Sequence, residues 1–325
     1  MMEILNNLGI SYKGDYISQG SISDKCKKST NLNVKNIELM IRNDGKDNDF
    51  ENIRNLYSGN VIFHLPTVNI NQTNLKNVKD IINELLKYNI KLVTIDASTL
   101  LYETFDWSTD EEQQNYLKNM AKAFASIVTS NIEVAIENTK PDKGNLLFGK
   151  DVSNISDLLV YTRNALIEEY DYTREKANKM VGISINVGNL IKSDEISSLE
   201  NWFKIFYNDI KCIKIKDIEN RIPLFNQLLD LIISNNIDIP ILLETKEEIE
   251  AINNAFRKFE HLVKNKIEGK PLNFEGYQNI ANSRYNEYNY NFNSAQSGYT
   301  NAVIVIIIIL TMIAAVLMFI IQMRE

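Results

Sequence analysis

The stretch that decides the fold is IEVAIENTK, at residues 132–140. Its first half alternates, so that Ile132, Val134 and Ile136 share one face, and this period of two is typical of a β-strand. Glu137 ends the apolar run, and the polar sequence NTKP follows it. A short strand that ends in a polar residue and is followed by a helical stretch is the unit that recurs along the chain.

Repeats of this unit predict a closed α/β barrel. The predicted strands are residues 3–10, 36–41, 61–66, 91–96, 132–137, 181–186, 210–216 and 239–244. Helical spacing of apolar residues follows the strands, for example at Leu75, Val78 and Ile82. Eight strands that alternate with helices predict a (β/α)8 TIM barrel. A doubly wound open sheet is the rival fold, but no GxGxxG or P-loop spacing supports it.

Length and composition divide the chain of 325 residues into three parts. We predict the barrel at residues 1–268, and a polar, Tyr- and Asn-rich linker at residues 269–300. We predict a transmembrane helix at residues 301–322. Its core, from Ala302 to Ile321, is uncharged and mostly apolar, and as a helix it would span about 30 Å.

No signal-peptide pattern opens the sequence, so we expect a single-pass tail anchor in a membrane, with the barrel in the cytoplasm. The formal net charge of -7 lowers the expectation of a nucleic-acid partner, which requires a basic face. Cys26 and Cys212 are too few for a disulfide framework and fit a reducing compartment.

Strand alternation also predicts which side chains face the barrel axis. Because parallel barrel strands bury both faces, the branched apolar residues pack on the helices and the alternate residues point inward. In the third strand Val61 and Phe63 face the helices, which turns His64 inward. The inward residues at the ends of six consecutive strands are His64, Asp96, Glu137, Asn186, Lys214 and Glu244. Together they form a polar ring at the C-terminal mouth, which is either a ligand site or a structural plug.

Motifs at these strand ends resemble one family. They are HLP at residues 64–66, IENT at 136–139, INVGN at 185–189, IKIKD at 213–217 and LLET at 242–245. Their order and spacing are similar to those of the xylose-isomerase-like TIM-barrel superfamily. That superfamily includes sugar and sugar-phosphate isomerases and epimerases, and the AP endonucleases of the same fold. The resemblance covers roughly residues 1–263.

The resemblance implies a divalent metal at the mouth, with glutamate ligands at Glu137 and Glu244. Two other positions depart from the family's pattern. Its strand-six Asp-x-x-His reads NVGN at residues 186–189, and its strand-seven histidine is Lys214. Asn offers only a neutral carbonyl oxygen, and a protonated Lys has no lone pair. We therefore expect no resident cofactor, while a divalent cation held weakly at Glu137 and Glu244 stays open.

An inward lysine needs a counterion, because an unpaired buried charge costs several kcal/mol. We predict that Lys214 takes the place of the metal and pairs with Glu137, Glu244 or both.

Two functions stay open, and in both of them the barrel is tethered to a membrane. One is a pseudoenzyme that has lost the metal site and binds a carbohydrate-like ligand or a protein partner. The other is an active sugar or sugar-phosphate isomerase or epimerase, with Glu137 and Glu244 as the acid/base pair and Lys214 as the electrophile. AP endonuclease activity is disfavoured, since it needs several His ligands and a DNA-binding face. Asn189 and Trp107 complete the predicted ligand-binding residues, and Trp107 could stack on a sugar ring.

Overall fold

A computed structural model describes most of the first 274 residues of the chain. The described residues are 2–12, 21–41, 50–66, 72–97, 110–128, 131–139, 149, 151–190, 199–216, 221–245, 248–274 and 277. The chain divides into two units, Met1–Asn273 and Phe274–Glu325. In the second unit the rings of Phe274 and Tyr277 lie 5.9 Å apart, edge to face.

Eight parallel strands close into a barrel in sequence order, which confirms the predicted TIM barrel. The strands are β1 (Leu8–Ser11), β2 (Asn36–Met40), β3 (Asn60–His64), β4 (Leu92–Asp96), β5 (Glu133–Glu137), β6 (Val181–Asn186), β7 (Ile210–Lys216) and β8 (Ile241–Glu244). Pairing of β1 with β8 closes the barrel and places Ser11 opposite Glu244.

Helices connect the strands. They are α1 (Met2–Asn6), α2 (Ile22–Asn31), α3 (Ile53–Leu56), α4 (Gln72–Leu86), α5 (Asp110–Ile127), α6 (Val152–Tyr170), α7 (Arg174–Met180), α8 (Val187–Leu190), α9 (Leu199–Phe206), α10 (Ile222–Ser234) and α11 (Ile249–Ile267). Helix α2 begins with a capping box, in which the Ser21 hydroxyl accepts from the Asp24 N–H at 3.2 Å. Such a cap satisfies N–H groups that have no partner within the helix.

The predicted first strand is wrong over its first half. Residues 2–6 form α1, and β1 begins only at Leu8. Ile4 is the one β-branched residue in the sequence MEILN, and the Met, Glu and Leu around it are good helix formers. The short helix α8, which follows β6 directly, was not predicted.

The barrel interior changes from apolar to polar along the strands. Ile62, Cys212 and Leu242 are fully buried and form an apolar cluster, against which Leu92 packs. Two residues further along the same four strands lie His64, Lys214, Glu244 and Thr94. The polar mouth therefore lies on an apolar layer that supports it from below.

Within the described residues, no helix combines the length and the apolar composition that a bilayer crossing requires. The predicted transmembrane helix at residues 301–322 lies outside the described residues. So does the predicted linker, except for residues 269–274 and 277.

Candidate functional site

The strand ends bring all six predicted ring residues into one contact network. Asp96 pairs in register with Glu137, and Asn186 pairs in register with Lys214. Side-chain contacts then join neighbouring members around the mouth. The contacts are His64 with Asp96 and Glu137, Glu137 with Lys214 and Asn186, and Asn186 with Glu244.

Lys214 lies at the centre of this network and is fully buried. Its ammonium forms ion pairs with Glu137 and Glu38, and both carboxylates are also fully buried. Burial by itself would lower the pKa of Lys214, but the charges of Glu137 and Glu38 outweigh it and raise the pKa above its usual value. Lys214 is therefore a buried cation at neutral pH. The predicted pair with Glu137 is present, and Glu38 is a second partner.

Sequence analysis missed Glu38, which lies on β2. Its carboxylate accepts hydrogen bonds from the Ser11 hydroxyl and the Thr94 hydroxyl, each at 2.5 Å. The alternation rule used for the later strands would have found it, because Ile37 and Leu39 are fully buried on the helix side of β2. Ser11, at the end of β1, was missed because the predicted first strand ended at residue 10.

His64 is oriented by its hydrogen bond to Thr94. The imidazole Nδ1 lies 2.9 Å from Thr94 Oγ1, and that hydroxyl already donates to Glu38. Because Thr94 donates its only hydroxyl proton to Glu38, its oxygen must accept in the contact with His64. The hydrogen-bond network therefore assigns a proton to His64 Nδ1. Nδ1 also lies 3.8 Å from one oxygen each of Glu38 and Glu137, and Nε2 lies 3.4 Å from Asp96 Oδ2.

Asn186 places a hydrogen-bond donor between two carboxylates. Its Nδ2 donates to Glu137 Oε1 at 3.0 Å and to Glu244 Oε1 at 2.9 Å. The orientation of the amide follows from its other end, where Oδ1 accepts from the backbone N–H of Asn189 at 3.3 Å. The side chain of Asn189 donates to the carbonyl of Asn138 at 2.8 Å. Asn189 therefore supports the end of β6, and its ligand-binding role stays a prediction.

The mouth has a buried inner part and a more accessible outer part. Glu38, Glu137 and Lys214 have no exposed side-chain surface. Asp96 is 27% exposed and Glu244 is half-buried, so these two carboxylates form the outer part. Trp107, predicted to stack on a ligand, lies outside the described residues.

The metal that the family resemblance implies does not fit this mouth while Lys214 is protonated. The ligand atoms of Glu38, His64 and Glu137 lie within 4.8 Å of one another, which is a set that could hold an ion. The Lys214 ammonium, however, contacts the same two carboxylate oxygens that face His64 Nδ1. A protonated amine has no lone pair for a metal, and it would repel a second cation.

Over about three-quarters of the chain, the fold is similar to that of two sugar epimerases. No protein-family model and no curated protein sequence matches the chain. An L-ribulose 3-epimerase matches at 11% identity and a TM-score of 0.50, over 75% of this chain and 82% of that one. The 3-keto-D-glucoside 4-epimerase from E. coli matches at 12% identity and a TM-score of 0.50, over 79% and 98%.

A xylose isomerase domain protein from Alicyclobacillus acidocaldarius matches at 10% identity and a TM-score of 0.49, over 80% of this chain and 99% of that one. Identities this low show the fold alone. The two epimerase structures and the closed eight-stranded barrel therefore confirm the predicted TIM-barrel fold.

Proposed function

We propose that this protein is a membrane-tethered pseudoenzyme, whose barrel mouth binds a carbohydrate-like ligand without converting it. The observation that carries this proposal is the closed inner network of the mouth. Glu137 is fully buried, with one oxygen on the Lys214 ammonium and the other on the Asn186 amide. A general base must reach the proton that it abstracts, within about 2.6–3.2 Å. Glu137 therefore suits a structural role better than a catalytic one.

The outer part of the mouth suits a polyhydroxylated ligand. Asp96 and Glu244 are the ring carboxylates that reach solvent. Carboxylate oxygens are acceptors with several lone-pair sites, which matches ligands that carry neighbouring hydroxyl groups.

Binding and turnover can be measured on the same sample. We would titrate a panel of neutral sugars and sugar phosphates into the full chain in mild detergent, by calorimetry, and examine the recovered sugar by NMR in D₂O. We expect saturable binding with no deuterium incorporated, and a loss of at least about tenfold in affinity for Asp96→Asn, in line with one lost charged hydrogen bond. Glu169→Gln is the matched control, since Glu169 pairs with Lys122 on the surface at 2.8 Å.

A second candidate is an active isomerase or epimerase. It is favoured by the position of Asn186 Nδ2, which lies within 3.0 Å of both Glu137 Oε1 and Glu244 Oε1. Two carboxylates thus flank one point, as an acid/base pair would. Deuterium incorporation that is lost in both Glu137→Gln and Glu244→Gln would establish this activity and overturn the pseudoenzyme proposal.

We also propose that the segment from Ala302 to Ile321 anchors the protein in a membrane, with the barrel on the cytoplasmic side. The double substitution Ile309→Lys and Val316→Lys should release the full chain from carbonate-washed membranes. A lysine at the centre of a membrane helix costs about 2.5–3.5 kcal/mol. The wild-type chain should stay in the pellet, and its recovery in the supernatant would contradict the anchor.

A further inference from the structure

We propose that Glu38, His64 and Glu137 form a latent divalent-cation site, and that the Lys214 ammonium is a built-in replacement for its metal ion. The site should bind Mn²⁺ once the lysine side chain is removed. The cation site would exist whichever ligand the mouth binds.

The positions of the ligand atoms support the proposal. Glu38 Oε1 and Glu137 Oε2 both contact Lys214 Nζ, and each lies 3.8 Å from His64 Nδ1. The three ligand atoms fall within 4.8 Å of one another. Ligands around one metal ion at about 2.0–2.3 Å can be at most about twice that distance apart. Little movement is therefore needed to close these atoms around an ion.

A carboxylate that could accept from the other ring nitrogen of a metal-bound His64 is also present. For Nδ1 to offer a lone pair, the proton of His64 must move to Nε2, which faces Asp96 Oδ2 at 3.4 Å. A metal-bound imidazole usually donates its other N–H to a carboxylate or a carbonyl, which fixes the ring. The proton thus has an acceptor in place, and no other group has to change its protonation.

Charge explains why the lysine and a metal exclude each other. Two fully buried carboxylates need positive charge close by, and Lys214 supplies it from the same point that an ion would occupy. Removing the lysine leaves two buried charges uncompensated, which is strongly unfavourable. A divalent cation could neutralise these two carboxylates only if the side chain at position 214 is small enough to leave space for the ion.

Two substitutions of Lys214 separate the effect of the lost charge from the effect of the space that a smaller side chain opens for an ion. Lys214→Ala removes both the charge and the side-chain volume, whereas Lys214→Met removes the charge and keeps most of the volume. Lys211→Ala is the control for losing a β7 lysine, because Lys211 pairs with Glu133 at 2.8 Å in the outer, partly exposed layer. The double substitution Lys214→Ala and Glu38→Gln removes one proposed ligand.

Each full chain would be purified in mild detergent with chelator, dialysed, and titrated with Mn²⁺ by EPR and by thermal melting. We expect Lys214→Ala to bind one Mn²⁺ at least about 100-fold more tightly than the wild type, Lys214→Met or Lys211→Ala. Mn²⁺ at about 100 times its Kd should raise the melting temperature of Lys214→Ala by about 5–11 °C. The double variant should lose most of this gain.

Two results would overturn the proposal: stoichiometric Mn²⁺ on the wild type with a raised melting temperature, or folded Lys214→Ala that binds no Mn²⁺. If Lys214→Ala is insoluble in chelator, its recovery as folded protein with Mn²⁺ would support the site, and insolubility under both conditions would refute it. Sugar binding is read separately, so failure here leaves the proposed function standing.

Discussion

Glu38→Gln tests most directly whether the buried ion pairs hold the mouth together. Glu38 is fully buried, forms an ion pair with Lys214 and accepts 2.5 Å hydrogen bonds from Ser11 and Thr94. Glutamine keeps the shape and one acceptor oxygen but loses the charge. Its amide group also brings donors to a place where three donors already converge.

The size of the effect follows from these contacts. Breaking a buried ion pair by removing one partner costs about 3–5 kcal/mol, and one hydrogen bond to a charged group contributes about 1.5–3 kcal/mol. Because Glu137 still pairs with Lys214, we expect the lower end, about 3 kcal/mol. For a chain of this size that lowers the melting temperature by about 6–12 °C. Glu133→Gln, which breaks the partly exposed pair with Lys211, should cost only about 0–1 kcal/mol.

Urea unfolding of the full chain in detergent, followed by tryptophan fluorescence, measures both losses. Trp202 on α9 is fully buried and should report the opening of the barrel. If Glu38→Gln lowers the unfolding free energy no more than Glu133→Gln does, the buried pair does not stabilise the mouth. The role given to Lys214 would then be wrong.

Three further predictions concern charge and burial at the same site. Asn186→Asp should lower the urea midpoint more at pH 7.5 than at pH 5, because it adds a third carboxylate beside two others; equal losses would contradict this. Because folding raises the pKa of Lys214, its contribution to the unfolding free energy should be complete below about pH 10.4, the pKa in the unfolded chain, and should decrease progressively above that pH. If the wild type loses more unfolding free energy than Lys214→Met between pH 7 and pH 8–9, this prediction is wrong. Burial raises the pKa of Cys212 to about 12, and Cys26 is also buried, so both thiols should resist labelling at pH 8 until the protein unfolds; labelling of the folded protein would contradict this.

Periodicity was sufficient to predict the barrel, because strands with two buried faces and helices with one have different periods. For β6 and β7 the predicted bounds match the structure. At the N-terminus the pattern was too short to separate a strand from a helix. There the helix propensity of residues 2–6 prevailed.

The inward direction of single residues was predictable, but their partners were not. Alternation places Lys214 on the barrel axis without saying which carboxylate it meets. Its partner on β2, Glu38, lies 176 residues earlier in the chain and belongs to a strand without a resembling motif. Only Glu137 and Glu244 were predicted as counterions of Lys214, so one of its two carboxylate partners, Glu38, was missed.

The sequence by itself determined the order of strands and helices and the polar ends that face the mouth, because local hydrophobic periodicity sets which face of an element is buried. Only the tertiary structure decided which charges meet. Closure of the barrel brings β2, β5 and β7 to one axis, and there the Lys214 ammonium meets Glu38 and Glu137 away from water. These ion pairs depend on the register between strands that are far apart in the chain, and no local sequence pattern specifies that register.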